Sequence, residues 1–232
     1  MAAPKVTFEA KDRRAVAQAA SVFETPVIVD HVDGSAEINA ALRSVIMNRM
    51  SEHDGIAISN IGGWHSDTRM LEWGGEAALI LCEKIIAAAD GFTIDIKAKG
   101  EPRYKWFPEM WANVSPPGAS NRHHAHPGAF WSAVYYVDDG YGGSPDPALG
   151  GELVLFDPRM PMIRMNAPDL RFKRPGQPPD HDEAKMRPAT GRIVIFPAWL
   201  NHAVLPYAGD GLRISVAVNL SAVPVRPSGS GQ

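Results

Sequence analysis

The chain has 232 residues, 45% of them apolar, with a formal net charge of −3. This is enough to bury a substantial core, and dispersed Lys and Arg offer no basic face for nucleic acid or an anionic membrane. The single cysteine, Cys82, excludes an internal disulfide and fits a reducing cytoplasm. MAAPKVTFEAKDRR at the N-terminus lacks an apolar signal region, and no window approaches the length of a membrane span.

In chain order, residues 1–24 are weakly patterned. PVIVDHV (26–32) reads as a strand, and Asp33, Gly34 and Ser35 as a turn in which Ser35 caps a helix running to about residue 53. Ile38, Ala41, Leu42, Val45 and Ile46 form its apolar stripe. GIAIS (55–59) reads as extended and NIGGWHSD as a loop. Thr68 is the expected cap of a second helical stretch, broken at Gly74-Gly75 and ending near Asp90, with Gly91 as its C′ residue. Leu79, Cys82, Ile85 and Ile86 are its expected inner face.

From Phe92 onward the pattern turns β. FTIDIK, RYKWF with MWANVS, FWSAVYYV, GELVLF, MIRM, GRIVIFP, HAVLPY and RISVAVNL follow one another with turn residues between. Gly 21 and Pro 20 suit short strands joined by many turns. The expected fold is mainly β with N-terminal helices, a jelly roll that hides its strand edges by closure. We read one domain: a helical support layer over 1–91, the jelly-roll core over 92–222 and a tail over 223–232. Residues 144–151 and 167–191 read as loops, the second long enough to face a substrate. Edge strands leave room for a homodimer.

Chemistry concentrates in WANVSPPGASNRHHAHPGAFWSAVYYV (111–137), read as strand, tight loop, strand. His123, His124 and His126 fall where the loop meets the second strand. On an extended segment His124 and His126 share a face, a spacing that lets two imidazoles grip one metal ion. His202 opens a strand 76 residues further on, and a jelly roll brings strands that distant together; two near imidazoles and a remote one make a facial site with open positions. Arg213 and Ser215 share a face of the last strand. An Arg inside a barrel is costly unless an anion neutralises it, and its planar fork suits a carboxylate. Ser132 and Tyr136 form a one-sided set on the strand after the histidines, placed to donate to the same anion.

HHAHPGAFWSAVYYV, GGELVLFDPR, GRIVIFPAWLNHAV and RIS, in this order, resemble the 2-oxoglutarate- and iron(II)-dependent oxygenases of the double-stranded β-helix fold. The resemblance is closest to a bacterial and phage branch related to the prolyl hydroxylases, and FETPV and GGWHS extend it over most of the chain. It implies iron(II) and 2-oxoglutarate as cofactors, oxidative decarboxylation to succinate, and hydroxylation of a C–H bond. By resemblance, His124 takes the place of the first ligand histidine, His126 that usually held by Asp, and His202 that of the distal histidine. Arg213 and Ser215 resemble the pair that binds the far carboxylate of 2-oxoglutarate, Tyr136 the tyrosine assisting it, and Asn113 a second contact to cofactor or substrate.

The family motif is His-x-Asp, whereas this chain has His124-Ala125-His126. Three neutral imidazoles leave two positive charges on a ferrous site where a carboxylate would leave one. The departure admits a three-His site, a site where His123 or His124 alone binds and water or a carboxylate such as Glu152 is the remaining ligand, an alignment of His123-His124-Ala125 with the His-x-Ala pattern of iron halogenases, or loss of metal binding. His31, His53, His65 and His181 read as ordinary surface or core histidines, and Trp106, Trp111, Trp131 and Trp199 as packing aromatics. Two other functions fit the same pattern: a cupin-like three-His metal enzyme that uses no keto acid, and a jelly-roll binding protein without turnover. The substrate, a small molecule or an amino-acid or protein side chain, is not written in the sequence; loops at 60–75, 140–150 and 165–190 would select it.

Overall fold

The computed structural model describes residues 23–160 and 181–225, with 167, 169, 170 and 172. MIRM (162–165) and most of the 167–191 loop lie outside the described residues.

Two sheets carry the architecture. The larger is built from β1 (Ile28–His31), β9 (Arg192–Pro197), β6 (Trp131–Asp138), β11 (Arg213–Pro224), β4 (Tyr104–Ser115) and β3 (Trp64–His65), in that spatial order. The smaller has β2 (Asn60–Ile61), β5 (Ser120–His124), β10 (His202–Val204), β7 (Leu153–Phe156) and β8 (Glu183–Met186). Named neighbours pair antiparallel, and β4 and β11 pair along their full length, from Ser115 opposite Arg213 to Tyr104 opposite Pro224. This is the double-stranded β-helix. Pro108 lacks an N–H, yet β4 continues through it because β3 pairs only with Val114 and Asn113, leaving that flank of Pro108 outside the β3 ladder.

Helices α1 (Ser35–Glu52), α2 (Met70–Trp73) and α3 (Gly75–Gly91) supply the apolar cover of the larger sheet. Leu42 and Ile46 of α1 and Ala78, Leu81, Ile85 and Ala89 of α3 join Met110, Ala112, Val114, Ile193, Ile195, Val216 and Val218 in one core. The helical spacing of these positions produces that face, and each fully buried Leu or Ile is worth about 1.5–3 kcal/mol against exposure. Strands of the larger sheet also contribute Tyr136, Val194 and Phe196 to a second cluster with Leu153 and Leu155 of β7. Covered on both faces, β9 is apolar at nearly every position.

Several expected elements differ. Gly34, at φ 63°, is the N-cap of α1 in place of Ser35. Arg69 rather than Thr68 precedes α2; Asp67 Oδ1 accepts from the Arg69 N–H at 2.9 Å, which uses the carboxylate one residue earlier. The Gly74-Gly75 break is present, and Gly91 is the last helical residue with Phe92 as the cap. FTIDIK is not a strand: Ile94 and Ile96 are 82% and 85% exposed with no sheet partner, and Asp95 is drawn into an ion pair with Arg103 at 2.7 Å. Conversely β2 and β3 occupy the NIGGWHSD loop, β5 the stretch read as loop, and β8 the long loop. No described helix is long and apolar enough to cross a membrane.

Candidate active site

The cleft between the sheets is lined from the larger one by Trp111 and Asn113 on β4, Ser132 and Tyr136 on β6, and Arg213 and Ser215 on β11. The smaller sheet contributes Asn121 and His124 on β5 and His202 on β10, with His126 just beyond β5. The expected second strand therefore does not begin at the histidines. His124 ends β5, opposite His202 in the ladder, and His126 is held past the strand end by its backbone N–H donating to the Ala198 carbonyl.

The three imidazoles converge. Their ligand nitrogens all lie within 4.8 Å of one another, and the ring centroids are 4.3 Å apart for His124 and His202 and 5.0 Å for each of the other pairs. His124 Nδ1 lies 2.6 Å from the Arg122 carbonyl oxygen and His202 Nδ1 2.9 Å from that of Leu200. Each Nδ1–H is thereby the donor, which leaves Nε2 as the lone pair for a metal. Burial, reinforced by His124, pushes the pKa of His202 down to about 3, and burial with His124 and His65 pushes that of His126 down to about 4. Burial also lowers His124. Neutral imidazoles at ordinary pH are what metal ligation requires. No group of three ligand side chains that includes Glu152 or His123 converges among the described residues; His123 packs its ring 4.7 Å from Phe156.

Arg213 is 1% exposed, and no carboxylate lies within ion-pair distance of it among the described residues. Its Nε, the Tyr136 hydroxyl and Asn113 Oδ1 are buried without hydrogen-bond partners. Ser215 stands opposite both Asn113 and Tyr136 across the ladders, and the Arg213 Cζ lies 5.2 Å from the Tyr136 ring centroid. Burial raises the Tyr136 pKa, and the Arg213 charge pulls against it. A buried guanidinium with no carboxylate partner among the described residues, beside the Tyr136 phenol, suits an anion, and the far carboxylate of 2-oxoglutarate would fit that donor set. The Asn113 amide, turned over, would offer a further donor at the same point. The Ser132 expectation is not met: its hydroxyl donates to Asn219 Oδ1 at 2.6 Å, so its proton is already engaged.

Two contributors went unseen in sequence. His65, read as ordinary, is 3% exposed and stacks on Trp111 with ring centroids 5.6 Å apart. Trp111 in turn lies 5.7 Å from His126. The available signal was alternation, since Trp111 and Asn113 point to one face of β4.

Three converging imidazoles and a buried guanidinium in the cleft of a double-stranded β-helix are the features that a non-haem, keto-acid-dependent oxygenase would need. Residues 109–219 match the family described as "Putative 2OG-Fe(II) oxygenase". Among solved structures it is similar to a prolyl-4-hydroxylase from Pseudomonas putida, with TM-score 0.54 and 20% identity over 85% of this chain and 92% of that one. It is also similar to a prolyl hydroxylase from Trichoplax adhaerens in complex with a hypoxia inducible factor peptide, with TM-score 0.57 and 13% identity over 84% and 83%. HygX from Streptomyces hygroscopicus, with nickel, 2-oxoglutarate and hygromycin B bound, gives TM-score 0.53 and 14% identity over 85% and 83%. These three share the fold. No match is found among curated proteins.

Proposed function

We propose that the protein hydroxylates a C–H bond of its substrate, holding iron(II) with His124, His126 and His202 and the far carboxylate of 2-oxoglutarate with Arg213, Ser215 and Tyr136. The observation that carries the proposal is a fully buried guanidinium with no acidic partner in the same cleft as three converging imidazoles. Iron(II) held there would supply oxygen activation, with one atom of O2 going to succinate as 2-oxoglutarate loses CO2 and the other inserted into the substrate C–H bond, which supplies the remaining two electrons.

The chain's own residues divide the work. His124 and His202 present lone pairs fixed by backbone carbonyls, and His126 closes the triad from the loop. The guanidinium neutralises the distal end of the diacid while Tyr136 and Ser215 donate to it. Three neutral ligands leave the full charge of a ferrous ion to be offset by the bound dianion, so the two cofactors are expected to favour each other electrostatically. Asn113, opposite Ser215, is the further contact to cofactor or substrate, and Asn121 lines the cleft outside that clamp.

The ligands of the similar structures, a hypoxia inducible factor peptide in one and hygromycin B in another, support a substrate that is either a protein side chain or a small molecule. A single buried thiol, Cys82, supports a cytoplasmic setting. In the test, His202→Ala abolishes iron binding, while Arg213→Ala raises the 2-oxoglutarate requirement and spares iron. Equal iron loss in the two variants would contradict separate roles. Bound metal without succinate formation from 2-oxoglutarate would favour the cupin-like alternative.

A further inference from the structure

The three imidazoles are not held alike. The rings of His124 and His202 are locked from behind by backbone carbonyls, through Nδ1 at 2.6 and 2.9 Å. The His126 ring has no hydrogen bond among the described residues. It has packing instead: the Trp111 indole lies 5.7 Å away with the planes at 52°. Behind the indole the His65 ring stacks at 5.6 Å and 14°. The result is a column of three rings ending at the metal arm that stands where a carboxylate is usual.

The column has a rigid base. Trp111 sits on β4, paired with Ala217 of β11, and is 8% exposed. His65 lies on β3 opposite Asn113, with Nδ1 donating to the Ser66 carbonyl. Neither ring belongs to the converging triad. An imidazole oriented by ring contacts keeps both tautomers and freedom about its terminal torsion, whereas one tied to a carbonyl keeps neither. Remove the indole, and the His126 ring keeps as described ring contacts only the other two imidazoles of the triad, each 5.0 Å away.

We propose that Trp111, backed by His65, is the positioning residue for the third metal ligand. This assignment rests on the three-His reading above. His126 is consequently the arm of the site that yields first, and its occupancy of the coordination sphere is set by aromatic packing rather than by hydrogen bonding.

Co(II) serves as the probe, because its visible absorption reports coordination geometry and its titration reports affinity without turnover. Trp111→Leu is expected to weaken Co(II) binding by about 10-fold, the size of effect seen when the support behind a ligand is lost. It should also shift the visible bands, and Trp111→Phe should retain most of the affinity. In a His126→Ala background Trp111→Leu should cause no further loss, because the ring it orients is gone. The same loss in both backgrounds would show a purely structural role and overturn the proposal. If Trp111→Leu does not fold, the cycle is run with His65→Ala, and unchanged affinity and spectrum in that variant would overturn it too. Failure of the underlying reading looks different: His126→Ala would then bind Co(II) as the parent protein does.

Discussion

The imidazoles of the triad trade stability for readiness. Desolvation holds His202 down to about 3 and His126 down to about 4, with neighbouring imidazoles adding to the shift. In the unfolded chain both titrate near about 6.5. Between those values the unfolded chain binds more protons, so stability falls as pH drops. The contribution is fully present above the unfolded pKa and is lost progressively toward the folded ones. Each ring adds a slope of up to about 1.4 kcal/mol per pH unit. Metal-free protein, kept so with a chelator, should therefore melt at a distinctly lower temperature at pH 5 than at pH 7.5, and His202→Ala should narrow the gap. A melting temperature that is flat over this range, or a gap unchanged in the variant, would contradict the assignment. His124 and His126 stood out in the sequence because their spacing on one short string implies a shared target, and His202, 76 residues on, because a jelly roll brings distant strands together. Ser132 did not, since its partner Asn219 is 87 residues away and nothing local announces it. His65 was equally silent, because its importance comes from the ring it stacks on.

Strands were readable where apolar alternation and burial agreed. β6, β9 and β11 are rich in β-branched and aromatic residues and lie in a sheet covered on both faces. β5 fails both tests: SNRHH is polar, and it is a strand only because β2 and β10 pair with it on either side. FTIDIK fails in the opposite sense, with good alternation and no neighbour to pair with. Pairing across long stretches of chain overrides local propensity in each case. Turns show the same dependence on distant neighbours. Gly150, at φ 61° and ψ −151°, occupies a region that side chains disfavour, and a Cβ there would stand 2.2 Å from the Pro206 carbonyl oxygen. Next to it, a Cβ on Gly151 would reach 3.3 Å from Arg213 Cδ. Gly150→Ala should accordingly destabilise the protein by about 2 kcal/mol or more in urea unfolding. Because the turn packs toward the Arg213 side chain, 2-oxoglutarate affinity should suffer more than metal affinity. Parent-like stability would mean that the turn relaxes freely.

Across the whole molecule, the proposed metal and keto-acid functions sit on different sheets. His124 and His202 belong to the smaller sheet, with His126 immediately beyond it; Arg213, Ser215 and Tyr136 belong to the larger. A ligand that chelates the ion at one end and meets the guanidinium at the other ties the two sheets together across the cleft. Binding to the folded state alone stabilises by RT ln(1 + [L]/Kd), about 2.7 kcal/mol at a hundredfold excess over Kd. Mn(II) by itself should raise the melting temperature by engaging only the histidine side. 2-Oxoglutarate by itself should do little, since the clamp holds one end of it. Added together they should raise the melting temperature by more than the sum of the separate shifts, because each completes the site for the other. Arg213→Ala should keep the Mn(II) shift and lose the excess, and His202→Ala should lose both. An additive response in the parent protein would mean that the cleft does not bind the two as a unit, and that the buried guanidinium serves some other anion.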